Sequence, residues 1–209
     1  MFSGIVQTTA HLTHVSVKPG MKSFSIYLDD EMRRDLVIGA SVAIDGVCLT
    51  VVKMNDGDIH FDAVQETLDK TTLGLLAEDA LVNVERSIKV GDEIGGHHVS
   101  GHVHGTAEII SIDQTLENNY LLTVRIPAKL TKYTFNKGFI ALNGASLTIV
   151  NVDQQAGTIQ VSLIPETLRQ TTFKDKQLGD HVNIEIEQQT QTIVDTVEQT
   201  LANQDKGGK

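Results

Sequence analysis

Apolar and polar residues alternate along short stretches of the chain, a spacing typical of β-strands with one buried face. The alternation is clearest at Phe24-Ser25-Ile26-Tyr27-Leu28, Leu122-Thr123-Val124-Arg125-Ile126 and Val182-Asn183-Ile184-Glu185-Ile186. Turn signals such as Asp45-Gly46 and Asn143-Gly144 separate these stretches. Short strands at this spacing indicate a β-sandwich or a small barrel. We favour barrels, because closure removes exposed sheet edges.

Three segments break the alternation and predict helices. One runs from Asp30 to Leu36, and another begins at Pro127, which suits a first helical turn, and continues through Tyr133. Near the C-terminus an apolar stripe recurs at helical spacing, formed by Ile193, Val194, Val197 and Leu201. So narrow a stripe cannot bury itself, so it either packs on a barrel or meets its own copies in an oligomer.

The chain repeats itself at an interval of 97 to 100 residues. The segment DGVCLTVV at 45–52 matches NGASLTIV at 143–150, and SGIV at 3–6 matches SGHV at 100–103. ETL at 66–68 and VNVE at 82–85 recur at 166–168 and as VNIE at 182–185. We therefore predict an all-β protein with two similar barrel domains, residues 1–97 and 98–187. Residues 188–209 form a C-terminal oligomerisation helix that frays from Asn203.

The composition argues against two classes of protein, those that bind nucleic acid and those that span a membrane. The 209 residues include 17 basic and 27 acidic ones, and a net charge of −10 repels nucleic-acid phosphates. The longest apolar run is four residues, Phe139 to Leu142, whereas a membrane-spanning helix needs about 20. A single cysteine, Cys48, cannot form an internal disulfide. We expect a cytoplasmic protein that binds neither nucleic acid nor membrane.

Each repeated turn leads into a strand with small polar side chains. Cys48 and Thr50 share one face of the first strand, and Ser146 and Thr148 share the same face of its copy. The plainer interpretation is two hairpins with small side chains packed inside. The alternative is two equivalent pockets, each with a heteroatom that adds to an electrophilic carbon when activated. The exchange of cysteine for serine at matching positions favours the pockets slightly.

Two further features allow more than one interpretation. His97, His98, His102 and His104 lie close together in the sequence, and on a strand the last three would share a face. No nearby carboxylate completes a familiar ligand spacing, so we expect no metal. His102 aligns with Ile5, which indicates acid–base chemistry in the second half.

The repeated Glu-Thr pairs are either strand ends with turns, or exposed backbone whose amides and carbonyls bind a planar heterocycle.

The chain resembles the riboflavin synthases in four kinds of segment. They are MFSGIV at 1–6, GVCLTV at 46–51 with its copy around Ser146, EIGGH at 93–97 followed by SGH at 100–102, and the Glu-Thr-Leu pair. The resemblance implies two six-stranded Greek-key barrels and a homotrimer built by the C-terminal helix. It implies that two molecules of 6,7-dimethyl-8-ribityllumazine exchange a four-carbon unit, giving riboflavin and 5-amino-6-ribitylaminouracil, without metal or redox cofactor. It also allows an association with lumazine synthase.

The resemblance also implies the substrate-binding and catalytic residues. The first pocket takes Gly4, Ile5, Val6, Cys48, Leu49, Thr50, Asp62, Ala63, Val64, Gln65, Glu66 and Thr67, and Ser41 joins the binding residues. The second takes Gly101, His102, Val103, Lys137, Ser146, Leu147, Thr148, Ser162, Leu163, Ile164, Pro165, Glu166 and Thr167. The catalytic candidates are His102, Ser146, Thr148, Cys48 and Glu187. Glu187 stands where the family commonly has aspartate, so its side chain reaches one methylene further.

A second function fits the same resemblance. Related proteins of luminous bacteria hold a lumazine or flavin as a fluorophore without turnover, and they tend to lose the polar residues of the second pocket. Here His102, Ser146 and Thr148 all remain, which favours the enzyme over a non-catalytic antenna.

Overall fold

The computed structural model describes residues 1–114 and 120–207, which form two closed six-stranded barrels followed by a helix. The first barrel consists of β1 (Thr8–Lys18), β2 (Met21–Tyr27), β3 (Ser41–Ile44), β4 (Val47–Asn55), β5 (Asp58–Val64) and β6 (Leu81–Arg86). The second consists of β7 (Gly105–Asp113), β8 (Tyr120–Arg125), β9 (Phe139–Leu142), β10 (Ala145–Asp153), β11 (Thr158–Leu163) and β12 (His181–Ile186). This architecture confirms the predicted all-β fold with two six-stranded barrels.

The two barrels share one topology. Around the first barrel the strands follow the order β1-β2-β5-β4-β3-β6, and the second follows β7-β8-β11-β10-β9-β12. In each, the second strand pairs with the fifth rather than with its successor, as in a Greek key. All pairings are antiparallel, and β1 closes the first barrel by pairing with β6. The duplication in the sequence is therefore a duplication of a complete sheet.

Irregularities in the ladders recur at matching positions. The register shifts between Val51 and Lys53 in β4 and between Ile149 and Asn151 in β10. A second pair of shifts occurs in β1 and β7. Such bulges bend and twist a strand, which helps a small sheet to close on itself.

Each barrel has its own apolar core, because alternate side chains point inward. Ile26, Leu49, Val51 and Phe61 lie in the first core, and Val124, Leu147, Ile149 and Val161 in the second. The side chains between them, such as Thr50 and Thr148, are exposed. The strand face that carries Cys48 or Ser146 is therefore the outer face of its barrel.

Within the described residues four α-helices accompany the barrels: α1 (Asp30–Arg33), α2 (Gln65–Lys70), α3 (Pro165–Gln170) and α4 (Gln188–Gly207). α1 ends before the predicted Leu36, because Arg34 leaves the helical region and Asp35 adopts a positive φ of 60°. The segment after Pro127 is a 3-10 helix, Ala128–Tyr133. The Glu-Thr pairs, for which a strand end with a turn is one of the two interpretations above, lie in the first turns of α2 and α3, two helices that the sequence pattern does not predict.

The C-terminal helix is longer than expected. α4 continues to Gly207, past the predicted start of fraying at Asn203, and residues 208 and 209 lie outside the described residues. Its polar side reaches the second barrel, where Asp195 accepts a hydrogen bond from Tyr133 at 2.6 Å and Lys132 pairs with Asp195 and Glu198. Within the described chain, no helix has the length and apolarity to cross a membrane.

A pair of buried asparagines ties the barrels together symmetrically. The Asn83 side chain donates to the Asn143 carbonyl at 2.9 Å and accepts from the Thr172 N–H at 2.8 Å. Its counterpart Asn183 donates to the Asp45 carbonyl and accepts from the Thr72 N–H, both at 2.8 Å. The barrels therefore meet about an approximate twofold axis, with fully buried polar contacts on both sides.

Candidate functional site

The repeated turns before β4 and β10 meet at the contact between the barrels. Asp45-Gly46 and Asn143-Gly144 have positive φ at all four residues, as predicted for tight Asx-Gly turns. A Cβ on Gly46 would lie 2.5 Å from the Gly144 nitrogen, so no larger residue fits there. The turns thereby fix where Cys48 and Ser146, two residues further on, emerge on the outer faces.

Two short arms cross from one barrel to the other. The arm at residues 1–7 brings the Gly4 carbonyl to the Ser146 N–H at 2.8 Å, and Val6 is buried in the second core. The arm at residues 99–104 brings the Gly101 carbonyl to the Cys48 N–H at 2.9 Å, and Val103 packs on the first core. A Cβ on Gly4 would meet Ser146 at 2.6 Å, so only glycine permits this approach.

This crossing corrects the predicted grouping of the pockets. Gly4, Ile5 and Val6 belong beside Ser146, not beside Cys48. Likewise Gly101, His102 and Val103 belong beside Cys48, so the expected pairing of His102 with Ser146 is wrong. The physical reason is that each barrel presents its outer strand to the arm of the other repeat, and the hydrogen bonds form across the twofold axis.

Two buried glutamates hold the arms. Glu85 accepts hydrogen bonds from the Ser3 N–H at 2.7 Å, the Ser3 hydroxyl at 2.8 Å and the Gly4 N–H. Glu185 does the same for the Ser100 N–H, the Ser100 hydroxyl and the Gly101 N–H at 2.7, 2.8 and 3.0 Å. Burial raises the pKa of Glu85, against which the Ser3 and Gly4 donors act. Sequence reasoning missed both glutamates, although they end the repeated VNVE and VNIE segments.

The first site occupies the outer face of β4 and β5. Cys48 is half-buried, Thr50 is exposed, and Ser41 pairs directly with Thr50 across β3 and β4. Other predicted binding residues that are exposed here are Asp62, Val64, Gln65 and Glu66, with Thr67 half-buried. Leu49 and Ala63 point into the barrel core instead, so only their backbone lies near this face.

The second site repeats this arrangement on β10 and β11. Ser146 is half-buried and Thr148 is exposed, as are Ser162, Ile164, Pro165 and Glu166, and Thr167 is half-buried. Leu147 and Leu163 point into the core. Lys137 lies at a positive φ of 68° just before β9, where its N–H donates to the Ile149 carbonyl at 2.8 Å. On both faces most of the predicted binding side chains are exposed, while Cys48 and Ser146 are half-buried beside the arms.

The four neighbouring histidines do not act as a group. Residues 97–104 lie outside the strands, so the expected common strand face is wrong; Val99 forms only an isolated bridge with Phe2. His102 is exposed, and the His104 ring contacts Gln191 at 3.0 Å. Within the described residues no group of three or more His, Cys, Asp or Glu side chains is placed to hold a metal ion.

His97 is the histidine that contacts a predicted catalytic residue. Its Nδ1 lies 2.6 Å from the Ser146 Oγ, and its ring stacks on Phe139 with centroids 5.2 Å apart. Burial lowers the pKa of His97; Glu187 opposes this effect and His98 adds to it. The sequence offered one signal, the closely spaced Gly95-Gly96 before His97. A Cβ on Gly96 would lie 2.3 Å from the Ser3 carbonyl oxygen and 2.8 Å from the Ser146 Oγ.

A cavity of about 860 Å³ adjoins this histidine. Its walls come from the first residue of β9, the first turns of α4 with the residue before them, and the segment between the barrels, and they include His97, His98, Phe139 and Glu187. Glu187 is held by a hydrogen bond from the Thr190 hydroxyl. The predicted carboxylate thus shares a cavity with His97, one side chain away from Ser146.

Comparison with known proteins agrees with this architecture. The family model of the lumazine binding domain matches twice, at residues 3–87 and 100–187. The riboflavin synthase of Escherichia coli (strain K12) is 48% identical over 97% of this chain and 94% of its own. That of Chlamydia pneumoniae is 46% identical over 99% of this chain and 100% of its own.

Solved structures share the fold at lower identity. LumP complexed with 6,7-dimethyl-8-(1'-D-ribityl) lumazine superimposes with a TM-score of 0.80 at 23% identity, covering 90% of this chain and 99% of its own. LumP complexed with riboflavin gives a TM-score of 0.82 at 24% identity, covering 90% and 100%. The doubled barrel, the doubled family match and the full-length relatives agree: the chain belongs to the lumazine-binding family and, within it, to the riboflavin synthases.

Proposed function

We propose that this chain is a transferase, a riboflavin synthase, which converts two molecules of 6,7-dimethyl-8-ribityllumazine into riboflavin and 5-amino-6-ribitylaminouracil. The observation that carries the proposal is the duplicated site. In each half a glycine carbonyl binds the N–H of Cys48 or Ser146 on an outer strand face. A reaction between two identical molecules needs two similar sites, and holding both in register lowers the barrier by up to about 7–11 kcal/mol.

The two sites differ where the chemistry requires different roles. One lumazine loses a proton from its C7 methyl group, and the other accepts a nucleophile or carbanion. The first site combines Cys48 with the exposed His102, and the second combines Ser146 with the buried His97. Thr148 and Glu187 complete the proposed catalytic set, and no metal or redox cofactor is needed.

A non-catalytic lumazine- or flavin-binding antenna is the second candidate. The superimposing solved structures are complexes of LumP with a lumazine and with riboflavin. At 23–24% identity they establish the common fold alone. The synthases are 46–48% identical over nearly the whole chain, which favours turnover.

Conversion of the pure lumazine distinguishes the two candidates. Purified protein, treated with a chelator, is incubated with 6,7-dimethyl-8-ribityllumazine alone, and the products are separated by chromatography. A synthase consumes two lumazines for each riboflavin and each 5-amino-6-ribitylaminouracil formed. An antenna binds the lumazine and changes its fluorescence without product. A strict requirement for added metal would contradict the cofactor-free reaction.

The assembly and location belong to the same proposal. The stripe side chains Ile193, Val197 and Leu201 are 63%, 51% and 57% exposed, while Asp195 of α4 binds Tyr133 of the second barrel. A homotrimer through this stripe would bring the open first site of one subunit to the open second site of a neighbour. We also propose that the chain divides into two barrel domains, residues 1–97 and 98–187, and a C-terminal segment, residues 188–209. The proposed location is the cytoplasm, and the candidate protein partner is lumazine synthase.

A further inference from the structure

We infer that His97 is a positioning residue for the proposed reaction: its imidazole donates a hydrogen bond to Ser146 and thereby aims the Ser146 proton at the lumazine of the second site. The inference deepens the proposed function and rests on it. It assigns a role to a histidine outside the predicted set. It also makes Ser146 a hydrogen-bond donor to an acceptor atom of the heterocycle, not a nucleophile.

The contact between the two side chains is close and enforced. The distance of 2.6 Å between His97 Nδ1 and Ser146 Oγ is within hydrogen-bond reach. Gly96 lets the backbone lie against Ser146, because a Cβ there would come within 2.6 Å of the Ser146 Cβ. The Gly4 carbonyl holds the Ser146 backbone from the other side. Ser146 therefore lies between Gly4 of the first arm and Gly96, the residue before His97.

The imidazole is fixed as firmly as the serine. Its ring lies nearly parallel to that of Phe139, at an angle of 15°, and only 6% of the residue is exposed. The second ring nitrogen, Nε2, is buried and has no hydrogen-bond partner among the described residues. The ring therefore has a single polar contact, and that contact is Ser146.

The unpartnered nitrogen determines the tautomer. Burial lowers the pKa of His97, so the ring is neutral and carries one N–H. A buried N–H without an acceptor is rarer than a buried acceptor without a donor, which places the proton on Nδ1. Nδ1–H then donates to the Ser146 Oγ, and the serine keeps its own proton for another acceptor. The charged or titratable groups beside the ring are Glu187 and His98.

The contact between an imidazole and the residue two positions after the Asx-Gly turn is seen, among the described residues, at Ser146 and not at its counterpart Cys48. Cys48 occupies the position of Ser146, yet its side chain packs against the apolar cluster that contains Phe2 and Val99. The asymmetry provides different polar groups for two identical substrate molecules. The second site offers an oriented hydroxyl donor, and the first offers the thiol of Cys48, whose backbone is bound by the arm that carries the exposed His102.

Two substitutions at His97 separate positioning from packing. His97→Phe keeps the stacked ring but removes the donor, and His97→Asn places an amide donor near the former Nδ1. We expect His97→Phe to lower kcat about tenfold with little change in KM, the loss of one neutral hydrogen bond, and His97→Asn to recover most of it. In a Ser146→Ala background His97→Phe should cause no further loss. His14→Phe, at an exposed site on the first barrel, serves as the matched control.

An activity-independent measurement keeps this inference separate from the proposed function. Imidazole ¹⁵N chemical shifts of His97 distinguish the Nδ1–H tautomer from the Nε2–H tautomer whether or not riboflavin is formed. We expect the Nδ1–H tautomer at neutral pH. An Nε2–H tautomer, full activity of His97→Phe, or an equal loss in the Ser146→Ala background would each overturn the inference. Failure of lumazine conversion with an Nδ1–H tautomer would instead reject the proposed function.

Discussion

At the scale of single residues, the two equivalent turns at the contact between the barrels differ in charge, because one carries an aspartate and the other an asparagine. Asp45 and Asn143 occupy equivalent turns, and each side-chain oxygen accepts a backbone N–H, from Asn83 at 2.8 Å and Asn183 at 2.7 Å. Burial raises the pKa of Asp45 from 3.8 to about 6, although the Asn83 N–H and the charge of Lys176 act against this. One repeat therefore carries a carboxyl group that folding prefers to keep protonated.

Asp45→Asn is expected to stabilise the protein at neutral pH. Because the folded-state pKa lies above the unfolded value, the carboxyl contributes its full stability below about pH 4 and loses it as the pH rises through about 6. The difference corresponds to about 3 kcal/mol of unfolding free energy. Urea denaturation of variant and wild type from pH 4 to 8 should show a gap that widens with pH. Asn143→Asp should show the reverse, and a pH-independent gap would contradict the buried-carboxyl argument.

The two sites should respond separately to substitution of their polar groups. Ser146→Ala is expected to lower turnover by about 10²-fold, the range for a lost preorganised donor, while lumazine binding at the first site survives. His102→Ala should also lower turnover by about 10²-fold, as for a lost acid–base group, but through the first site. Cys48→Ser should cost less, because the second repeat already uses serine there. Steady-state kinetics with fluorescence titration of lumazine measures both effects, and full turnover of both alanine variants would contradict the assignment.

At the scale of elements, the arms are the parts that make one barrel depend on the other. The first arm is bound by Glu85 of its own barrel and delivers Gly4 to the second. The second arm is bound by Glu185 and delivers Gly101 to the first. Each glutamate therefore organises a site on the opposite barrel.

Glu85→Gln and Glu185→Gln should perturb opposite sites. Glutamine keeps one acceptor oxygen but loses the charge, at a cost of about 1–3 kcal/mol for the buried donors left behind. We expect Glu85→Gln to accelerate amide hydrogen exchange at Ser146 and leave Cys48 unchanged, and Glu185→Gln to do the opposite. Each variant is the control for the other. Exchange that accelerates on the variant's own barrel would show that the arms do not cross.

At the scale of the whole molecule, α4 both binds the second barrel and carries exposed apolar side chains. Tyr133 and Lys132 bind its polar side to the second barrel, and these exposed ion pairs are individually worth little. Three side chains of the apolar stripe, Ile193, Val197 and Leu201, are exposed, whereas Val194 is half-buried. The helix therefore presents an apolar surface suited to copies of itself.

Removal of the chain after Gln191 should dissociate the protein into folded monomers. The barrels keep their closed sheets and separate cores, so circular dichroism and the melting transition of the barrels should persist. Analytical ultracentrifugation should show a trimer for the full chain and a monomer for the truncated one, which binds lumazine but turns it over poorly. The double variant Val197→Glu and Leu201→Glu should behave alike, and a trimer that survives both changes would contradict the role of the stripe.

The sequence by itself determined the local features of this protein. Period-2 alternation specified strands such as β2, β8 and β12, Asx-Gly pairs specified the turns at 45–46 and 143–144, and the internal repeat specified two similar barrels. These features depend on neighbours within a few residues or on a comparison of the chain with itself. The same local rules missed α2 and α3, because six residues carry too little helical periodicity to outweigh a turn pattern.

Only the tertiary structure decided which arm serves which barrel. Both barrels present the same outer strand, and both arms carry the same Ser-Gly segment, so the repeat pattern fits an arm on its own barrel as well as an exchanged one. The exchange is fixed by contacts between distant residues, such as Gly4 with Ser146, whose geometry the twofold packing of the barrels sets. For the same reason the imidazole beside Ser146 belongs to His97 and the one in the arm beside Cys48 belongs to His102.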